Sequence, residues 1–161
     1  MKKLLVLLAL FILNSNYGQK TSTAYYFIRH AEKVDNSKNP DLSESGFKRA
    51  EVWNKIFSEI AFDEIYTTDY KRTLQTASPT AAAKNIQVKI YDPKNEVIEI
   101  FKKETLGKKV LIVGHSNTIP KFVNQIINQN SYTDIEDTTF GNLYIVTILD
   151  GVITFQLLKL P

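Results

Sequence analysis

Two histidines are present in 161 residues, and each closes a strongly apolar run. His30 follows Tyr25-Tyr26-Phe27-Ile28-Arg29, and His115 follows Val110-Leu111-Ile112-Val113-Gly114. After each the chain switches abruptly to small and polar residues. In open α/β folds ligands bind in the crevice at the carboxyl ends of the strands, where this placement puts both imidazoles. Imidazole is the side chain best suited to nucleophilic and acid–base work near neutral pH. Arg29 stands directly before His30, at a point where a core strand would normally supply another apolar residue. A guanidinium beside an imidazole there points to anion chemistry. A metal reading is weaker, because two imidazoles without cysteine or a spaced acidic partner fall short of a zinc site's ligand set.

The elements that must position these groups follow from periodicity. Residues 24–29 read as a buried strand, followed by a polar loop from 32 to 40. Ser43 is a helix N-cap, and Phe47, Ala50, Trp53, Phe57 and Ile60 recur at helical spacing to about residue 60, with Trp53 a packing residue. Residues 63–66 form a short strand. Residues 71–84 form a helix with Leu74, Ala77 and Ala81 on one face, and Pro79 predicts a kink or broken turn near Gln75. A strand over 87–91, a helix over 96–104, a buried strand over 109–113 and a helix over 119–127 come next. Residues 128–141 are a polar loop, whose acids at 134–137 are expected to cap or solvate it. Strands over 143–149 and 152–158 are joined by Asp150-Gly151, a strong hairpin signal. Alternating strands and helices predict an α/β three-layer sandwich. Its central sheet is mainly parallel, with helices on both faces and a C-terminal β-hairpin.

Four polar segments sit where strand ends meet helix starts: Arg29-His30-Ala31-Glu32-Lys33, Leu42-Ser43-Glu44-Ser45-Gly46, residues 66–77 with Thr68, Asp69, Arg72, Thr76 and Ala77, and Gly114-His115-Ser116-Asn117. In order and spacing they resemble the histidine phosphatase (phosphoglycerate mutase-like) superfamily across roughly residues 24–118. That family shows Arg-His-Gly near the start, a Leu-(Ser/Thr)-x-x-Gly helix, a Ser-x-x-x-Arg-x-x-x-Thr-Ala segment and a late Gly-His. The resemblance implies that His30 attacks phosphorus to give a phosphohistidine. It further implies that Arg29 and Arg72 bind the phosphate through rigid paired donors, and that His115 is a further donor, most useful when protonated. Asn36 is the counterpart of an asparagine in the family's first loop. Glu32 and Lys33 read as an exposed local pair beside the pocket and, with Ser116, as candidate substrate contacts.

The sequence departs from the family at three places. Ala31 replaces the usual glycine, and Thr68 stands where serine is common, keeping the hydroxyl. Asn117 follows His115-Ser116 where acid-phosphatase and phytase-like branches place an aspartic acid just after the second histidine, which disfavours that branch. The mutase-like branch takes its proton donor from a glutamate after the third strand, and the candidates are Glu96 first and Asp92 second. Little sequence lies between the motifs to build a lid. The expected substrate is therefore a phosphorylated small molecule or a phosphoprotein, with no cofactor and no metal. A mutase, which must shield the phosphoenzyme from water, is disfavoured.

Composition bounds the rest. With 43% hydrophobic and 23% charged residues, the chain is that of an ordinary globular protein of one domain. Met1-Lys2-Lys3, the apolar run from Leu4 to Leu13, and a small residue at Gly18 match a secretory signal peptide over residues 1–18. Residues 19–161 are then a single exported domain, periplasmic or secreted, with no membrane attachment after cleavage. Losing Lys2 and Lys3 leaves 18 basic against 17 acidic side chains, so the basic balance is no argument for nucleic acid. Two rival functions stand beside the phosphomonoesterase: a phosphohistidine protein phosphatase, against which the export signal counts, and a non-catalytic phosphoanion-binding module, against which the intact His30 and His115 count.

Overall fold

The computed structural model describes residues 21–94 and 97–161. The expected signal segment and Glu96 lie outside the described residues. In chain order the elements are β1 (Ser22–Arg29), α1 (Glu44–Ile56), β2 (Glu64–Thr67), α2 (Lys71–Lys84), β3 (Val88–Ile90), α3 (Ile98–Glu104), β4 (Lys109–Gly114), α4 (Thr118–Ile127), β5 (Asn142–Leu149) and β6 (Val152–Lys159). They build one sheet of order β3-β2-β4-β1-β5-β6. The first four of these are mutually parallel, and β5 and β6 run antiparallel.

The central parallel strands are buried on both faces, which explains why β4 reads as an unbroken run of Val110, Leu111, Ile112 and Val113, all with no exposed surface. On one face Tyr25, Phe27 and Ile112 pack beneath Phe101 of α3 and Ile119, Phe122, Val123 and Ile126 of α4. On the other, Ile28, Ile65, Leu111 and Val113 pack beneath Trp53 of α1 and Ala77 and Ala81 of α2. Trp53 stacks on Phe57, with ring centroids 5.5 Å apart. The β5–β6 turn is Asp150-Gly151, with φ of 50° and 81°, the left-handed pair that a two-residue hairpin requires.

Three expectations about these elements need correction. Phe47 is 48% exposed, because the buried stripe of α1 runs through Gly46, Ala50 and Trp53, one position away. That helix ends at Ile56 rather than about residue 60, with Phe57 as its C-cap. Helix α2 continues unbroken through Pro79. Burial of Thr76, Ala77, Thr80 and Ala81 outweighs the donor that proline removes.

Register decides what comes together at the functional end. Arg29 pairs with Gly114, and Thr67 pairs with both Val113 and Ile90, so all four parallel strands finish at one edge. His30, Thr68 and His115 each follow directly. Because β5 is antiparallel to β1, with Leu143 opposite Ile28, its start lies at that same edge. The 128–141 loop is thereby delivered to the carboxyl ends of the parallel strands.

Candidate active site

His30 is 4% exposed, and its Nδ1 lies 2.7 Å from the Ala31 carbonyl oxygen. A carbonyl can only accept, so Nδ1 carries the proton and Nε2 holds the free lone pair. Burial, and after it the charges of Arg29, Arg72 and Lys33, push the imidazole down to about 4, so it is neutral near pH 7. A neutral imidazole with a fixed tautomer is the form a nucleophile needs. Its ring centroid is 5.5 Å from that of His115.

The loop after His30 is held by the motifs around it. Ser43 Oγ accepts the Gly46 N–H at 3.1 Å, capping α1, while the Ser43 N–H donates to the Glu32 carbonyl at 2.9 Å. A Cβ on Gly46 would sit 2.1 Å from that same carbonyl oxygen, so only glycine lets the helix start lie on the loop. Thr76 Oγ1 donates to the Arg72 carbonyl at 2.7 Å and accepts the Ala31 N–H at 2.9 Å, joining the loop after His30 to α2. Ala31 is fully buried against Leu42 and Ala50, which accommodates the methyl where the family has glycine.

The two arginines are held differently. Arg29 is 3% exposed, with Nη1 within 2.9–3.0 Å of the carbonyls of Glu136, Asp137 and Thr139. Its Nη2 lies 3.5 Å from the Asp137 carboxylate, and its guanidinium carbon lies 4.4 Å from the Phe140 ring centroid. Nε is buried without a partner. Arg72 is the second residue of α2, its guanidinium carbon 4.4 Å from the Tyr70 ring centroid. Arg72 Nη2 reaches His115 Nδ1 at 3.3 Å.

Guanidinium can only donate, so His115 Nδ1 is the acceptor and Nε2–H donates to Thr68 Oγ1 at 2.8 Å. Burial first, and the Arg72 charge second, push His115 down to about 3. The expectation of a protonated His115 is thus corrected: surrounded by cations and desolvated, the ring is neutral and its one N–H is held by Thr68.

A cavity of about 640 Å³ joins Arg29, His30, Arg72 and His115. Lys33, Lys94 and Lys121 add positive charge to its wall, and Ser116, Tyr70, Asp134 and Asp137 also line it. A larger groove of about 1000 Å³ runs beside it along α4 and shares Asn117, Lys121 and Asp134, but holds neither histidine. Other sequence candidates fall elsewhere. Asn36 is exposed and outside the cavity wall. Glu32 pairs with Arg49 Nε at 2.8 Å, not with Lys33, and is also outside it. Asp92 accepts the Lys94 N–H at 2.9 Å and is not part of the wall. The acids of the 128–141 loop were expected merely to cap or solvate it; instead Asp137 faces Arg29 and Asp134 lines the cavity. Tyr70 and Phe140, the two arginine platforms, were missed as well. Among the described residues no cluster of three or more His, Cys, Asp or Glu could hold a metal ion.

Comparison with known proteins agrees with this geometry. The model of the Histidine phosphatase superfamily (branch 1) matches residues 25–97. Phosphoserine phosphatase 1 of Hydrogenobacter thermophilus is 40% identical over 68 residues, which cover 38% of this chain and 32% of that protein. The chain thus spans about a third of the length of that curated relative. Among solved structures, the alpha-ribazole phosphatase of Shigella flexneri superposes with a TM-score of 0.69 at 14% identity, covering 85% of this chain and 96% of that one. The protein histidine phosphatase SixA, solved with tungstate, gives a TM-score of 0.66 at 14% identity, covering 84% and 96%. Identities that low speak for the fold alone. The match places residues 25–97 in the histidine phosphatase superfamily, and the described chain shares the fold of these solved phosphatases.

Proposed function

We propose that the protein is a phosphomonoester hydrolase working through a covalent phosphohistidine on His30. One observation carries the reading: a buried, neutral His30 with Nε2 free faces the same cavity as Arg29, Arg72 and His115. Phosphoryl transfer needs an in-line nucleophile and fixed donors for the charge on the equatorial oxygens. Nε2 supplies the lone pair. The Arg29 and Arg72 guanidinium groups supply the donors, preorganised by carbonyls and aromatic faces. The neutral His115 ring positions Arg72, accepting from it at Nδ1 while its Nε2–H is held by Thr68. The positive charge comes from side chains, so the reaction is expected to survive exhaustive chelation. The signal-like residues 1–18 support placing this activity outside the cytoplasm, as a periplasmic or secreted enzyme. Among the described residues no helix is long and apolar enough to cross a membrane.

The test uses the purified protein on a panel of phosphomonoesters without added metal, together with its His30→Ala variant. Turnover should fall to near background in His30→Ala, with unchanged circular dichroism. Acid-labile phosphate should be trapped on the wild type. Undiminished turnover in the variant would remove the mechanism. Phosphate binding without turnover by the wild type would leave the non-catalytic binding module. A phosphohistidine protein substrate shares this chemistry, and is distinguished by including phosphorylated histidine peptides in the panel.

A further inference from the structure

An alkoxide cannot leave without a proton, and the four central residues do not provide one. The His30 Nδ1 proton is held by the Ala31 carbonyl and the His115 Nε2 proton by Thr68 Oγ1, and guanidinium groups do not release theirs. Among the described residues, the carboxylates in the cavity wall are Asp134 and Asp137. Asp137 faces the Arg29 guanidinium. Asp134 makes no hydrogen bond or ion pair among the described residues, although it lines the same cavity as both histidines.

We propose that Asp134 is the proton donor to the leaving group, a deepening that rests on the phosphomonoesterase reading above. Its position is built. Ile135 is 6% exposed, packed in the core with α4, and its N–H donates to the Ser116 carbonyl at 2.9 Å. That bond pins the backbone of Asp134 beside the residue that follows His115. Other branches of the family carry an aspartic acid just after that histidine, whereas this chain has Ser116 and Asn117. Here a carboxyl-bearing residue is bonded next to that segment through the backbone of the loop that precedes β5. Asp134 also stands where the catalytic cavity meets the groove along α4, the side with room for the part of a substrate beyond its phosphate.

The step balances as follows. The His30 Nε2 lone pair forms the N–P bond while the P–O bond to the leaving group breaks. That electron pair goes to the leaving oxygen, which takes the proton of the Asp134 carboxyl, releasing a neutral alcohol. In the second half the Asp134 carboxylate takes a proton from water as the water oxygen attacks phosphorus. The N–P bond breaks, and its pair returns to Nε2. Acid, nucleophile and phosphate are then restored.

General acid help contributes about a hundred- to ten-thousandfold, and matters most for poor leaving groups. Asp134→Asn should therefore lose about that much kcat/KM on an alkyl phosphate such as glycerol phosphate. On nitrophenyl phosphate, whose leaving group needs little protonation, it should lose far less. Asp134 is exposed, so the variant should keep the wild-type melting temperature. Glu96→Gln and Asp137→Asn, assayed in parallel, should show no such selectivity. Equal losses on both esters, no loss on either, a selective loss in Glu96→Gln instead, or a wild type that accepts only activated phosphates would each overturn the assignment of Asp134. A wild type that turns over neither ester and traps no phosphate on His30 would overturn the hydrolase reading itself. The two failures are thereby distinct.

Discussion

The two sides of the active site are held by different means. On one side Arg29 ends a central strand, is almost fully buried, and is fixed by the carbonyls of Glu136, Asp137 and Thr139 and by the Phe140 face. On the other, Arg72 opens a helix and is only partly buried. It rests on Tyr70 and touches His115 at 3.3 Å and the Lys38 carbonyl at 3.5 Å, the outer limit of a hydrogen bond. One guanidinium thus binds the 128–141 loop to the sheet as well as facing the cavity. The other can shift with its ligand. Two residues of one type, facing one cavity, should therefore divide into a group that holds the fold and a group that holds mainly the substrate.

Paired lysine substitutions are the strongest way to break that contrast. Both Arg29→Lys and Arg72→Lys lose the forked donor geometry, so each should cost about 2.7–4 kcal/mol of transition-state stabilisation, roughly a hundred- to thousandfold in kcat/KM. Stability should separate them. Lysine at position 29 leaves loop carbonyls without their donor, a loss of about 1–3 kcal/mol in urea unfolding. Lysine at 72 should stay within about 0.5 kcal/mol of the wild type. Equal stability losses would mean that the Arg29 contacts to the loop contribute nothing net.

The same contrast explains what could be read from the sequence. The Arg72 side was legible because its parts are residue types at fixed spacings. Thr76 and Gly46 appear in the motifs since a hydroxyl must bridge Ala31 to Arg72, and no Cβ fits beside the Glu32 carbonyl. The alternation of buried strands and helices was legible for a similar reason, because burial demands apolar side chains. The Arg29 side was hidden. Its partners are main-chain carbonyls, which every residue carries, so Glu136 and Thr139 left no mark in the sequence. Only the antiparallel entry of β5 beside β1 brings that loop to His30, and pairing order is not a property of local pattern. Phe47 shows the limit from the other direction: helical spacing alone could not tell the buried stripe from the position next to it.

The histidines offer a second way to sharpen the comparison, through pH. His30 is depressed to about 4 and His115 to about 3, in each case first by burial. In the unfolded chain both return toward about 6.5. The unfolded state then binds more protons below that pH, so the stability owed to the neutral rings is complete above about 6.5. It is lost progressively as pH falls toward 4. For His30 the difference corresponds to about 3 kcal/mol by linkage. Urea midpoints measured from pH 7.5 to 4.5 should fall accordingly, and His30→Gln should flatten the slope. An unchanged slope in that variant would show that His30 is not held neutral by the fold.

The smallest expected effect bears on the aromatic platforms. A cation over an aromatic face contributes about 0.5–1 kcal/mol when exposed and about 2 kcal/mol when desolvated. Tyr70 is 36% exposed, so Tyr70→Leu should weaken Arg72's placement by the lower figure, a change of about two- to fivefold in KM with stability nearly unchanged. Phe140 stacks on a buried guanidinium whose carbonyl partners lie in the same loop, so Phe140→Leu should act on both KM and the unfolding midpoint. The order is what matters. If Tyr70→Leu destabilised the fold as much as Phe140→Leu, the Arg72 side would be as tightly built as the Arg29 side. The difference between 3.5 Å contacts on one side and 2.9 Å contacts on the other would then have no energetic meaning.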